Sequence, residues 1–410
     1  MSEPSVTYIT QYLSGIITSG EYVQVLASIL VALVVIYKVQ QWINGESSES
    51  SKSSTKSTGK KVGLYDVDPS KPLEIKPVDS DFVWDKQPAL KSYPFKNAAY
   101  KLTMAIKTLD PQDWLLIEPT YLSRLEVKSK IIHNKHEDYP ADKDLRSSTV
   151  FVTDEAIPAI RETYNTIVNY MVVKYPMYFQ KDGGIIHNLI TKKDIPATST
   201  GIEPVKCLEY LTETIEEDII ILLTDPTKQN EENGTEYFFK AGVFAFAAGF
   251  DPRDRFNRPL TAVHERIPGY EEKMKVSMNR FFQRISPGQF VTRSNFSVQT
   301  HNKFYVDDAN KGHNLPEDYV QQPIDIKDLD FDTQVHYRSE RQVLTRLPET
   351  GAVLFTIRTY LTPLSEFKQD GKEVCERLIG AINGFPDDIR RYKAAGEWGP
   401  PVIQYLETSD

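Results

Sequence analysis

Hydrophobic residues recur with two different periods along this chain. Apolar positions repeat at helical spacing over residues 154–173 and again over 207–222, which predicts two helices. The period changes to two over residues 237–250, a segment dense in aromatic side chains that predicts one or two strands. A further helix is predicted from about 270 to 285, and residues 289–300 are strand-like again.

The strongest β-structure signal is a hairpin near residue 350. Two runs rich in β-branched and aromatic residues, 334–347 and 352–362, are joined by the turn sequence PETG at 348–351. A helix is predicted after them, at about 370–383. Helices dominate the first half of the pattern and antiparallel strands the second, so the sequence predicts an α+β fold.

An uncharged apolar segment near the N-terminus predicts a membrane anchor. Residues 22–37 (YVQVLASILVALVVIY) carry no charged side chain. As a helix they span roughly 24 Å, against about 30 Å for the hydrocarbon core of a bilayer. Lys38 can extend to the headgroups, while Tyr37 and Trp42 suit the membrane interface. We therefore predict one transmembrane helix over residues 22–43.

Two other interpretations of this segment are less favoured. A cleaved signal peptide normally begins with basic residues, but the charged residues before the segment are Glu3 and Glu21. A buried core helix is not expected before a tether, and residues 44–61 are rich in Ser, Lys and Thr. The predicted organisation is a short segment 1–21, the anchor 22–43, the tether 44–61 and one folded domain, 62–410.

Flanking charges predict the orientation of the anchor. No Lys or Arg precedes the apolar segment. The lysines that follow it before the folded domain are Lys38, Lys52, Lys56, Lys60 and Lys61. By the positive-inside rule, the folded domain faces the cytosol from a single-pass anchor in the lipid bilayer. The sequence leaves the organelle open, and the endoplasmic reticulum and the mitochondrial outer membrane are both compatible.

Composition and motifs exclude several function classes. The 410 residues carry a net charge of −9 with a pI near 5.5, which argues against nucleic-acid binding. Two cysteines, Cys207 and Cys375, are too few for a cysteine-ligated iron–sulfur cluster or a four-cysteine zinc site. The sequence also has no Walker A, GxSxG or HExxH motif, and no GxGxxG motif follows a predicted strand.

Among the histidines, His264 has the most distinctive surroundings. It ends the apolar sequence LTAVH, close to the aromatic segment 237–250 and just before Pro268 and a predicted helix. His133 and His136 have the spacing of metal ligands, but their sequence IIHNKHEDYP is polar and favours a solvated turn. For His264 two interpretations stay open: a ligand, or a hydrogen-bonded core residue.

Three blocks of the sequence resemble one known family. The first block reads RPLTAVHERIPGYEEKM, followed by RFFQRISPGQFVTRSNFSV. It is similar to a pattern of IHxPVPGY, a helix ending in RFF, and an RxNW strand. YRSERQVLTRLPETGAVLFTIRTYLTPL resembles ERQTLRRLPxxGAxxFxIRTYLxPL, and LDPQDWLLIEPTYLSRLEVKSKII resembles WLxxDxxYxxxxxxR. These patterns belong to the haem-dependent oxidative N-demethylase alpha-subunit-like family, and they cover roughly residues 90–365.

The resemblance implies a fold, a cofactor and a reaction. It implies a PAS-like antiparallel sheet with surrounding helices, here preceded by the transmembrane helix. It also implies a haem monooxygenase that uses O₂ to remove a methyl group from a secondary amine, releasing formaldehyde. His264 matches the histidine that binds the haem iron, and residues 237–250 could supply an apolar wall for the porphyrin.

Four arginines in the matching blocks are candidate partners of the haem propionates: Arg293, Arg341, Arg346 and Arg358. The alternative for Arg341, beside Glu340, and for Arg346, near Glu349, is a structural ion pair.

The sequence departs from the family pattern in two places. Glu265 and Arg266 introduce charge where the pattern is smaller and more apolar, and Phe296 stands where the pattern has Trp. Both changes are expected near the pocket, so the substrate need not be a small methylated amine.

Oxygen chemistry at haem requires electrons, and the sequence offers no nucleotide-phosphate loop or iron–sulfur cysteines of its own. A partner reductase is therefore expected, together with a small-molecule substrate. Two alternatives to an enzyme stay open at this point. One is a non-catalytic haem-binding sensor or carrier, and the other is a cofactor-free, membrane-tethered PAS-like scaffold.

Overall fold

The computed structural model describes residues 74–228, 235–307, 312, 315–316 and 318–408. The chain divides into two units, Met1–Lys61 and Val62–Asp410, and all the described residues belong to the second. The predicted anchor over 22–43 and the predicted tether over 44–61 lie outside the described residues. In the described ranges, no helix has both the length and the apolar character needed to cross a membrane.

The second unit is a mixed α+β fold, as the sequence predicted. Its described strands are β1 (Lys107–Thr108), β2 (Val150–Phe151), β3 (Phe179–Asp182), β4 (Ile185–Asn188), β5 (Lys193–Pro196), β6 (Asp218–Thr224), β7 (Tyr237–Val243), β8 (Phe290–Gln299), β9 (His336–Arg346) and β10 (Val353–Pro363). Its described α-helices are α1 (Tyr121–Ile132), α2 (Leu145–Thr149), α3 (Ile157–Lys174), α4 (Pro204–Thr212), α5 (Leu260–His264), α6 (Tyr270–Lys273), α7 (Lys275–Arg284), α8 (Leu364–Lys368), α9 (Lys372–Asn383), α10 (Asp387–Tyr392) and α11 (Ala395–Glu407).

One antiparallel sheet organises this unit. Seven strands of the described residues pair in the order β1-β8-β9-β10-β6-β7-β2. The hairpin β9–β10, in which Val353 lies opposite Arg346, confirms the hairpin predicted from 334–347 and 352–362. Strands β3, β4 and β5 form a separate antiparallel sheet of three strands in the described part of the chain.

The two faces of the large sheet bury different sets of side chains, because successive residues of a strand point to opposite sides. On β10, Leu354 belongs to the main hydrophobic core, which also includes residues of α1, α3 and α4. Val353 and Ile357 belong instead to a cluster with residues of α5 to α7. Strand β6 alternates in the same way, with Ile219 in the first cluster and Ile220 in the second. We call these sides the core face and the cavity face.

A third hydrophobic cluster fixes the C-terminal helices. Val298 at the end of β8 and Tyr337 at the start of β9 pack with Leu378 of α9 and Trp398 of α11. The Trp398 indole donates a hydrogen bond to the carbonyl of Lys393 at 2.9 Å, inside this cluster. The cluster therefore holds the segment between α10 and α11 against the end of the sheet.

One predicted helix is wrong. The helix expected over 207–222 ends with α4 at Thr212, and the rest of the range enters strand β6 at Asp218. Both faces of β6 are buried, so its sequence DIIILLT is apolar without alternation. A short continuous apolar run of this kind has no period that separates a strand from a buried helix.

The remaining segments agree more closely with their predictions. Strand β7 covers the first half of the aromatic segment 237–250. The helix predicted from 270 to 285 is interrupted at Met274, which separates α6 from α7. Strand β8 confirms the strand predicted over 289–300, and α9 confirms the helix predicted at 370–383.

Glycine is required where β7 approaches β6. Gly242 has a backbone φ of +149°, and a Cβ atom there would lie 2.0 Å from the carbonyl oxygen of Ile219. The pairing of β6 with β7 also shifts register between Ile221 and Leu222. A residue without a side chain permits this close approach and irregular pairing.

Candidate functional site

A cavity of about 290 Å³ lies on the cavity face of the sheet, between the strands and helices α5 and α7. This volume is near the lower end of the range for small-molecule sites. Much of its wall is apolar and includes Ile220, Leu222, Phe239, Phe281, Phe355 and Ile357. Residues 100–106 and 389–393 also contribute side chains, so segments far apart in sequence complete the enclosure.

The cavity wall follows directly from the hydrophobic periods of the sequence. On strand β10, Phe355 and Ile357 are two residues apart and line the same side of the sheet. On α7, Met278, Phe281 and Phe282 have helical spacing and line the opposite side of the cavity. A strand with a period of two and a helix with a period near four thus enclose one apolar space.

His264 is the last residue of α5, and its side chain lines this cavity. Its Nδ1 lies 2.7 Å from the carbonyl oxygen of Leu260, one helical turn earlier. The imidazole stacks on the ring of Tyr270, with 5.1 Å between centroids and 16° between planes. Because a carbonyl only accepts hydrogen bonds, Nδ1 carries the proton, and the neutral ring keeps a lone pair on Nε2.

The surroundings of His264 keep its imidazole neutral. Its pKa is lowered from 6.5 to about 4, chiefly because burial disfavours the charged form. The hydrogen bond to Leu260 opposes this shift, while the positive charges of Arg293 and Arg255 add to it. At neutral pH the side chain is therefore a base with an available nitrogen, the form that binds metal ions.

Polar side chains from β8 and β9 interrupt the apolar wall. Arg293 and Asn295 on β8, and Glu340 and Gln342 on β9, line the cavity. The Glu340 carboxylate accepts hydrogen bonds from Gln342 Nε2 at 3.0 Å and from Asn295 Nδ2 at 3.4 Å. Burial lowers the pKa of Arg293, although the nearby charge of Glu340 opposes this shift, and Arg293 Nε has no hydrogen-bond partner among the described residues. Arg293 therefore retains a donor for an acceptor placed in the cavity.

Three further cations line the cavity, Arg255, Arg266 and Lys393, and sequence reasoning missed Arg255 and Lys393. The guanidinium carbon of Arg255 lies 5.5 Å from the centre of the Phe250 ring. The Lys393 ammonium donates a hydrogen bond to the carbonyl of Phe296 at 3.0 Å. Arg266 was visible in the sequence only as a departure from the family pattern. Lys393 lies far beyond the motif blocks, and no local signal in the sequence marks it.

Arg341 and Arg346 do not line the cavity. Arg341 donates hydrogen bonds to the carbonyls of Trp114, at 2.9 Å, and Asp113. Arg346 donates to the carbonyl of Ile285 at 2.6 Å, just beyond the end of α7. Both guanidinium groups thus bind backbone carbonyls. Their role is structural, as in the alternative interpretation, although their partners are carbonyls rather than the carboxylates of an ion pair.

Arg358 lies on the core face, in a buried cluster of carboxylates. Its Nη2 is 2.7 Å from Glu118 Oε2, and its Nη1 is 3.0 Å from Glu217 Oε1. Glu216 completes the cluster through a second contact with Nη2. The side chain is 1% exposed. We call these four residues the Arg358 cluster.

The alternation along β10 explains why Arg358 is distant from the proposed ligand space. Its sequence neighbour Ile357 lines the cavity, so Arg358 points to the other side of the sheet. Strand alternation alone does not identify which side of the sheet holds the cavity. Arg341, Arg346 and Arg358 are therefore not part of the site proposed below, whereas His264 and Arg293 are.

Comparison with protein families assigns the chain to one of them. The model of the family described as haem-dependent oxidative N-demethylase, alpha subunit-like, matches residues 105–403. The match includes the strands β6 to β10 and His264. This chain belongs to that family. The predicted resemblance is thereby confirmed at the level of the family, while the predicted anchor over 22–43 lies outside the matched residues.

The departures from the family pattern have different positions in the fold. Arg266 lines the cavity, whereas Glu265 is exposed. Phe296 packs in the C-terminal cluster, 5.3 Å from Phe95 between ring centroids, and does not line the cavity. Arg266 therefore lines the cavity, whereas Phe296 only adjoins it, beside the lining residue Asn295.

The donor groups at the cavity fit haem. His264 presents a neutral imidazole with a lone pair on Nε2, and Arg293 has a buried Nε without a hydrogen-bond partner. Apolar side chains line both the sheet side and the helix side, as a porphyrin requires. In the described part of the chain, no group of three or more His, Cys, Asp or Glu side chains could hold a metal ion.

Proposed function

We propose that this chain is a haem-dependent monooxygenase that removes an N-alkyl group from an amine substrate. The observation that carries the proposal is the neutral imidazole of His264, fixed by Leu260 on the wall of an apolar cavity. Membership of a family described as haem-dependent oxidative demethylases supports the same reaction. The antiparallel sheet, with β6 and β10 side by side at its centre, supports the PAS-like interpretation of the fold.

The residues of the cavity have distinct proposed roles around the cofactor. His264 Nε2 would bind the iron, and Arg293 would donate to a propionate. Haem, when bound, supplies the redox centre at which O₂ is reduced. The Leu260 carbonyl, by accepting the Nδ1 proton at 2.7 Å, holds the imidazole in one tautomer and one orientation. The surrounding Phe and Ile side chains give the space beside it an apolar wall.

Glu340 is the proposed binding group for the amine. It is the acidic side chain among the described residues that line the cavity, and its carboxylate is held by Gln342, by Asn295 and by Arg338, whose Nε lies 3.4 Å from Glu340 Oε1. A protonated amine that donates to this carboxylate would be oriented by it, while its alkyl group would pack on Phe355 and Ile357. The substrate class is therefore an N-alkyl amine with apolar substituents.

The reaction requires a co-reactant, because the chemistry must balance. Removal of a methyl group consumes O₂, two electrons and two protons, and it yields the shortened amine, formaldehyde and water. We propose that a partner reductase supplies the electrons. The predicted single-pass anchor, with the domain on the cytosolic side, would place the chain beside a membrane-bound reductase.

The test uses the full-length chain supplied with haem, beside His264→Ala. We expect a Soret band in the parent that is lost or shifted in His264→Ala. The matched control His187→Ala, at a partly exposed histidine paired with Asp194, should keep the parent spectrum. Substrate amines are then tested for formaldehyde release with O₂ and an artificial reductant.

Three outcomes separate the functions. Turnover that depends on His264 supports the proposed monooxygenase. A His264-dependent Soret band without turnover of any amine supports a haem sensor or carrier instead. A folded parent that binds no haem rejects both and leaves a cofactor-free scaffold.

A further inference from the structure

The charges around the cavity are not balanced. The described lining contains the cations Arg255, Arg266, Arg293 and Lys393 but only one carboxylate, that of Glu340. The negative charge of Glu340 acts to raise the pKa of Arg293, and the Lys393 ammonium donates a hydrogen bond to the carbonyl of Phe296. Two haem propionates would still leave more positive than negative charge in this space. Neither of these contacts involves Arg255 or Arg266, the other two cations of the lining.

Arg255 is held in place by a short structured loop. The Asp251 side chain accepts a hydrogen bond from the backbone N–H of Arg253 at 2.9 Å and caps the turn Pro252–Asp254. The backbone N–H of Arg255 donates to the carbonyl of Pro252 at 3.0 Å. Its guanidinium carbon lies 5.5 Å from the centre of the Phe250 ring, whose face favours a cation. The side chain is therefore positioned, half-buried, before any ligand binds.

Arg266 follows His264 by two residues and is exposed at the cavity. The turn that carries it is closed by a hydrogen bond of 2.9 Å from the backbone N–H of Ile267 to the carbonyl of His264.

Arg255 and Arg266 line the same cavity, and neither forms an ion pair with a carboxylate in the described part of the chain. Burial lowers the pKa of Arg255, and the positive charge of Arg266 is the next cause. Tyr392 opposes this shift, as do Asp254 and Glu265 from exposed positions, and neither carboxylate forms an ion pair with Arg255 in the described part of the chain. Two neighbouring like charges in a cavity are stabilised when an anion lies between them.

We infer that Arg255 and Arg266 form an anion-binding pair at the cavity that accepts a carboxylate group of the bound ligand. Guanidinium groups bind carboxylates through paired N–H donors, which gives both affinity and orientation. The carboxylate has two chemical sources, a haem propionate or a carboxylate on the amine substrate. The second source rests on the proposed function and narrows its substrate class to N-alkyl amines that also carry a carboxylate.

The experiment compares the full-length parent with Arg255→Gln and Arg266→Gln. Arg258→Gln is the matched control, because Arg258 is exposed in the same loop and does not line the cavity. In one arm, haem is titrated into each haem-free protein and the dissociation constant is measured from the Soret band. In the other, calorimetry measures binding of N-methylphenylalanine and of N-methyl-2-phenylethylamine, which lacks the carboxylate, to haem-free and haem-loaded protein.

Either of two results supports the pair. If haem affinity falls about tenfold in both variants but not in Arg258→Gln, the carboxylate is a propionate. If haem affinity is unchanged and the parent's preference for the carboxylate-bearing amine falls about tenfold, the carboxylate belongs to the substrate. Arg266→Lys should retain part of either effect, because it keeps the charge without the guanidinium fork.

The inference is overturned if neither affinity changes in the two variants, or if Arg258→Gln changes them equally. Its failure is distinguishable from failure of the proposed function. A parent that binds no haem would reject the monooxygenase, whereas the amine titration of the haem-free protein would still test the arginine pair.

Discussion

Leu354 and Phe355 are neighbours on β10, yet Leu354 is 1% exposed in the main core while Phe355 lines the cavity on the other side of the sheet. Leu354→Ala should therefore lower the free energy of unfolding by about 2–5 kcal/mol, because it leaves a void in a packed core. Phe355→Ala should cost less stability, since its side chain already borders open space, but it should weaken haem binding more.

Denaturant unfolding and haem titration of both variants measure the two effects. Equal losses of stability with equal haem affinities would show that the two sides of β10 are not functionally distinct.

Glu340 provides a test of amine recognition that is separate from haem binding. Glu340→Gln keeps the shape of the side chain but removes the negative charge that would pair with a protonated amine. We expect KM for the amine to rise about tenfold or more, since hydrogen bonds to charged groups contribute about 1.5–3 kcal/mol. The Soret spectrum should be unchanged.

Glu366→Gln, at an exposed position on α8, is the control. An unchanged KM with a lower kcat would place Glu340 in the chemical step rather than in substrate binding.

The Arg358 cluster should matter for stability and not for ligand binding. Arg358→Met removes the cation that pairs with Glu118, Glu216 and Glu217 in a buried position. Leaving these carboxylates without it should cost about 3–5 kcal/mol of unfolding free energy.

The exposed Arg284→Met variant should cost less than about 0.5 kcal/mol. If the Arg358→Met protein folds, its haem affinity should equal that of the parent, and a selective loss of haem would return Arg358 to the cofactor site.

The same cluster makes stability depend on pH. Burial raises the pKa of Glu216 from 4.5 to about 7, with Glu217 and Glu118 adding to the shift and Arg358 opposing it. Between these two values the folded chain binds more protons at Glu216 than the unfolded chain does. The contribution of Glu216 to stability is therefore complete below pH about 4.5 and is lost as pH rises through about 7.

Glu216→Gln keeps a neutral group in this position and removes the dependence. The unfolding free energy of the variant minus that of the parent should increase by about 1–3 kcal/mol from pH 5 to pH 8. Denaturant unfolding at the two pH values measures this change. A difference between variant and parent that is constant with pH would show that Glu216 does not hold the proton.

The sequence predicted the elements with clear periodicity and the histidine with distinctive neighbours. The two runs that form the β9–β10 hairpin are rich in β-branched and aromatic residues and are joined by the turn sequence PETG, so their pattern identified the hairpin. Strand β6 is buried on both sides, and its apolar run carries no period by which a strand differs from a helix. An apolar run alone therefore does not show whether the segment is a strand buried on both faces or a buried helix.

The cavity cations show a different limit. The alternation of β10 placed Arg358 and Ile357 on opposite sides, but the choice of side depends on which helices cover each face. Arg255, Arg266 and Lys393 come from a loop, a turn and the segment after α10, and only tertiary packing brings them together. Long-range packing of this kind leaves no local pattern in the sequence.

The position of the Arg358 cluster also has a consequence for how the sheet assembles. A slip of one residue in the pairing of β10 would bring Arg358 to the apolar side and leave Glu118, Glu216 and Glu217 facing Ile357. Such a mispaired sheet would bury uncompensated charge on both sides at once. The Arg358 cluster therefore favours the native register of the strands, because shifted pairings bury unpaired charge. In this way it stabilises the geometry of a cavity that it does not contact.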